Sequence, residues 1–96
     1  MVGLVYIGDD VIGEVDLSVI DESMGAIGGE LLTLECYSKY RHSIQQRGIA
    51  NSDNFNLRMI INGELIKPEG GISITHVEGF EPYVDSAGID LNKIRF

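Results

Sequence analysis

Ninety-six residues, 44% of them hydrophobic and 23% charged, suffice for one domain with one core, spanning residues 1–96, and leave no room for a second. A formal net charge of −8 argues against nucleic acid and anionic membrane as partners, because both are bound through Lys and Arg facing phosphate. The same charge favours a cationic protein partner.

Cys36 is the one cysteine, so no internal disulfide forms. The start Met1-Val2-Gly3-Leu4 lacks a basic leader region, and no run approaches the roughly 18 apolar residues of a membrane span. These features predict a cytoplasmic protein in a reducing compartment.

Val2 to Ile7 is a run of β-formers, and Gly8-Asp9-Asp10 reads as a turn. Val11, Gly13, Val15, Leu17 and Val19 then alternate with Glu14, Asp16 and Ser18, while Ile12 and Ile20 break the pattern. Period two predicts a half-buried strand paired to the first as a hairpin. Asp21 to Gly29 reverses the chain: Asp21 and Ser23 are turn formers, and Gly25 accepts positive φ. Ala26 to Leu34 is expected as a third strand, with Gly28 and Gly29 marking a bulge or a close backbone contact.

Leu34, Tyr37, Tyr40 (or Arg41) and Ile44 fall on one helical face, predicting a helix over residues 34–47. Thr33 is the expected N-cap and Gly48 the C′ residue. Ile49 to Asn54 reads as a polar loop, and Phe55 to Ile61 as a strand. Asn62-Gly63 is the strongest hairpin signal in the chain and sets Ile61 opposite Glu64 and Met59 opposite Ile66. After a turn at Pro68–Gly71, Ile72, Ile74 and His76 alternate as a further strand, giving a three-strand meander. Leu91 to Phe96 is a candidate edge strand. The expected class is α+β, mainly antiparallel β: a single curled sheet, or a small sandwich or barrel, with one helix.

Chemistry is sparse. Cys36 with His42 or His76 is the sole combination for nucleophilic catalysis, and no motif surrounds it; a buried, inert cysteine is the better reading. The two histidines stand 34 residues apart without partners at ligand spacing, and Asp9, Asp10, Glu14 and Asp16 lack the spacing of a twelve-residue calcium loop. Gly25 to Gly29 leads into no helix and has no nearby base, which disfavours a phosphate loop. His76 reads as a satisfied core or edge histidine. No catalytic residue, cofactor or metal is expected.

Charge is segregated. The first 35 residues carry eight acids and no base, residues 36–67 carry two acids and five bases, and residues 68–96 carry five acids and two bases. Asp9, Asp10, Glu14, Asp16, Asp21 and Glu22 are expected on one side, joined by Glu78, Glu81 and Asp85. Solubility alone accounts for such a face as well as a docking role does.

At Asp21-Glu22-Ser23-Met24-Gly25, followed by Gly28-Gly29 and the Tyr40-Arg41 helix, the chain resembles small acidic bacterial proteins, some of which act as immunity proteins in contact-dependent growth inhibition. The resemblance covers about the first half of the chain and implies no functional residue. The expected function is therefore a non-enzymatic immunity (antitoxin) protein that occludes a basic toxin domain, of nuclease type, with an acidic surface and an aromatic anchor such as Tyr6 or Tyr83. Two other readings stay open: a small enzyme or ligand-binding domain with a pocket near His42, His76 and Cys36, and a homodimerising structural module.

Overall fold

A computed structural model describes residues 1–51 and 55–91, and antiparallel strands dominate them. β1 (Val2–Ile7) and β2 (Asp10–Asp16) form the expected hairpin. Its register runs from Val2 opposite Asp16 to Val5 opposite Gly13, then slips so that Tyr6 faces Val11. Ile12 is the extra residue of a bulge, and the bulge resets the alternation. Ile12 is fully buried while Val11 is only half-buried, the reverse of the plain alternating pattern.

The predicted long second strand also breaks at Leu17. β3 (Ser18–Asp21) is separate, and Val19 and Ile20 are both exposed. β4 (Ala26–Thr33) pairs with β2 and β3 along one edge and with β9 (Tyr83–Ser86) along the other. Gly29 has the close contact expected of it: a Cβ there would lie 2.3 Å from the Asp16 carbonyl oxygen.

The helical stretch is where expected but in two pieces. A 3₁₀ turn (Glu35–Lys39) is followed by α1 (Arg41–Arg47), with Tyr40 between them at φ −110°, ψ −15°. Thr33 caps nothing; Leu34 takes the N-cap position without a side-chain bond. Gly48 closes α1 as expected, its N–H donating to the Ile44 carbonyl at 2.8 Å. Three residues per turn in the first piece alter the facing, so Tyr37 and Ile44 are buried while Leu34 is exposed.

Ile49 to Asn51, expected in a loop, form β5; the rest of that loop, residues 52–54, lies outside the described residues. β6 (Leu57–Ile61) and β7 (Glu64–Ile66) form the predicted hairpin in the predicted register, with Asn62 and Gly63 at φ 54° and 80°. The meander is not formed. β8 (Ile72–Thr75) pairs with β5 and β9 instead of β7. The turn at Pro68–Gly71 carries it away, held by Glu69 and Gly70 N–H groups donating to the Gly88 and Ala87 carbonyls. The candidate strand at residues 91–96 lies outside the described residues apart from Leu91, which is in a turn.

The sheet order is β5-β8-β9-β4-β2-β1-β6-β7, with β3 beside β4. The sheet is curled and unclosed, and β6 and β8 meet across its interior. Val5, Ile12, Val15, Ile27, Leu31 and Met59 pack there with Ile74 and Val84 in one cluster, which Tyr37 and Ile44 cover from the helical side. Burial of these apolar side chains supplies the main stabilising free energy.

Candidate functional site

The acidic residues that look alike in sequence separate by what neutralises them. Asp9 is fully exposed at the tip of the β1–β2 turn, 3.4 Å from Arg58 Nη2. Arg58 also donates to the Gly8 carbonyl and stacks 5.7 Å above the Tyr6 ring. Asp10 accepts a hydrogen bond from the Tyr40 hydroxyl at 2.6 Å and lies 3.6 Å from Lys39 Nζ. Two bases of the middle segment, Lys39 and Arg58, thus fold back onto the β1–β2 turn. Asp21 is absorbed differently: its Oδ1 accepts from Ser23 N, Ser23 Oγ and Met24 N and shapes the turn.

The Tyr40 bond, with Lys39 assisting, holds the Asp10 carboxyl below its ordinary value, and the same bond raises the Tyr40 phenol. An acid with a depressed folded-state pKa stabilises the fold above its unfolded value, and that contribution is lost as pH falls through the folded value. Tyr40→Phe should therefore shift Asp10 up towards 3.8, read as the midpoint of its carboxyl ¹³C resonance. An unmoved midpoint would mean that Lys39 alone sets it.

Glu14 and Asp16 sit on the outward face of β2, two residues apart. Val2 is opposite Asp16 and Leu32 is opposite Glu14, so all four face the same way. Glu30, two residues before Leu32 on β4, joins them. Glu81 arrives on the β8–β9 loop, anchored where the Pro82 carbonyl accepts the Leu31 N–H at 2.8 Å. Together these residues line a surface concavity of about 480 Å³. Val2 and Leu32 form its apolar part and are 57% and 67% exposed. Asp16 is 3.1 Å from the Met1 amine, but Glu14, Glu30 and Glu81 form no ion pair among the described residues.

Glu14, Asp16 and Glu81 are thus brought together, and Glu30 is the member that the sequence reading did not single out. Its signal was present, since it alternates with Leu31 on β4, but the glycines beside it dominate that stretch. Glu22 lies on a different concavity, with Glu69 and Asp90, at the Met24–Gly25 turn. Asp85, on β9, faces Gly28 of β4 and Ser73 of β8 and borders a third; burial alone raises its carboxyl. Glu78 is exposed on the β8–β9 loop. Of the suggested anchors, Tyr6 is half-buried under Arg58, and Tyr83 is less exposed than Leu32 or Phe80.

The histidine and cysteine candidates do not converge on a site. His42 is exposed on α1, and Cys36 is half-buried rather than buried. His76 is 2% exposed, with Nδ1 2.6 Å from the Tyr37 hydroxyl and Nε2 3.3 Å from Gln45 Nε2. Both ring nitrogens are occupied by protein partners, as expected of a satisfied core histidine. Burial pushes the Tyr37 phenol up to about 12, and burial together with the Arg41 charge lowers the imidazole. Among the described residues, no three His, Cys, Asp or Glu side chains group as metal ligands.

No family model, curated protein or solved structure matches this chain. No helix among the described residues is long and apolar enough to cross a membrane.

Proposed function

We propose that this chain is a non-enzymatic immunity protein that neutralises a basic toxin domain, of nuclease type, in the cytoplasm. The observation carrying this reading is the unneutralised trio Glu14, Glu30 and Glu81 around an exposed apolar floor. Asp9 and Asp10, by contrast, are paired within the chain, with Arg58 and Lys39. Glu14, Glu30 and Glu81 stand together at one concavity, which supports reading it as a surface complementary to cations.

In this mechanism the three glutamates stand where phosphates would stand and pair with Lys and Arg lining the toxin's cleft. Long-range attraction speeds encounter, and contact with Val2 and Leu32 slows dissociation. The opposing cleft is occluded without any bond being made or broken.

Co-purification from the source cell should bring down a basic protein. With that partner, the triple variant Glu14→Lys, Glu30→Lys, Glu81→Lys should bind roughly 10–100 times more slowly at low salt, with a flatter salt dependence. Asp9→Lys with Asp10→Lys is the control and should change the on-rate much less. An unaltered on-rate and salt slope in the triple variant would remove the electrostatic basis of the proposal.

A further inference from the structure

His76 lies just beyond β8, where its N–H donates to the Gly48 carbonyl at the end of α1, at 3.0 Å. Its ring reaches the 3₁₀ turn through Tyr37 and α1 through Gln45. One side chain therefore ties both helical pieces to the sheet. A neutral imidazole has one donor and one acceptor nitrogen, which suits these two partners. An imidazolium has two donors; the Tyr37 hydroxyl can accept from one, but the other faces the Gln45 amide nitrogen, itself a donor, until that amide reorients.

The charged groups around the ring are few. The Tyr37 phenol remains neutral far above physiological pH. The Arg41 guanidinium, 5.3 Å above the Tyr37 ring, opposes a second positive charge. Glu81 favours that charge from the β8–β9 loop, and the Phe80 backbone does the same. Burial and Arg41 outweigh them, so the folded ring takes up a proton less readily than an ordinary histidine.

We propose that Tyr37, His76 and Gln45 form an acid-sensitive latch, and that proton uptake by the His76 ring releases the helical segment from β8. The sign follows from linkage. A histidine whose value is lowered by folding takes up its proton more readily once released, so acid favours the open form as pH falls through the ordinary value near 6.5.

Amide hydrogen exchange at His76 and Gly48, corrected for the intrinsic rate, should show up to about a tenfold larger open population at pH 5.5 than at pH 7.5. The β1–β2 ladder should change much less. In His76→Gln the pH effect at Gly48 should vanish. A persistent effect in that variant, or none in the wild type, would overturn the latch. Should the variant not fold, the wild-type His76 ring resonances decide: a midpoint below the ordinary value supports the latch, and one at or above it refutes it.

Discussion

Gly25→Ala should cost about 3 kcal/mol of folding stability, whereas Gly63→Ala should cost about 1 kcal/mol. Both glycines have positive φ, 61° and 80°, so both variants bear the strain of a left-handed side chain. They differ in the space available. A Cβ at Gly63 meets nothing within 4 Å, but one at Gly25 would lie 2.3 Å from the Ile89 carbonyl oxygen. That contact is backbone against backbone, and a rotamer change cannot relieve it. The pair of bonds joining the turn to the late chain, Gly88 N to Met24 O and Ile89 N to Gly25 O, would have to open instead. Urea midpoints at unchanged m-value measure the two losses. Equal losses would show that the Ile89 segment gives way freely.

Ile12→Ala should be the most damaging truncation in the first hairpin, at about 3 kcal/mol, against less than about 1 kcal/mol for Val11→Ala. The contrast tests the bulge. In an unbroken alternating strand, Val11 would share a face with Val15, and Ile12 would point to solvent. In the slipped register, Ile12 is fully enclosed. A large loss at Val11 and a small one at Ile12 would restore the simple hairpin. Either large loss is a substantial part of the roughly 5–15 kcal/mol that stabilises a typical small domain.

Features written in local sequence were legible. The Asn62-Gly63 turn fixes its own register, since Met59 and Ile66 are brought together by the two residues between the strands. The Asp21–Gly25 turn likewise carries its own hydrogen-bond acceptor. What was hidden depends on distant partners. Tyr40 breaks the helical stretch while its hydroxyl is bound to Asp10, thirty residues earlier, and no helix-capping signal records that. β9 is four residues long, with one apolar core residue, Val84, and owes its place to β4 and β8.

The candidate site was half legible for the same reason. Period two placed Glu14 and Asp16 on one outward face. It gave no means of separating them from Asp9 and Asp10, because Arg58, Lys39 and Tyr40 are far along the chain. Counting charge located the acidic third; only pairing in space set Asp9 and Asp10 apart from Glu14.

The strand order also assigns roles in time. β4, β2 and β1 come from the first 33 residues and occupy adjacent inner positions, with β6 and β7 added on one flank and β9, β8 and β5 on the other. The early strands close short loops, whereas each flank must wait for a distant segment to return, so assembly of the flanks should be the slow part of folding. In that order of assembly the most acidic part of the chain would serve as the template. Repulsion among its carboxylates weighs on the first folding step, and screening by salt should speed refolding as well as alter recognition.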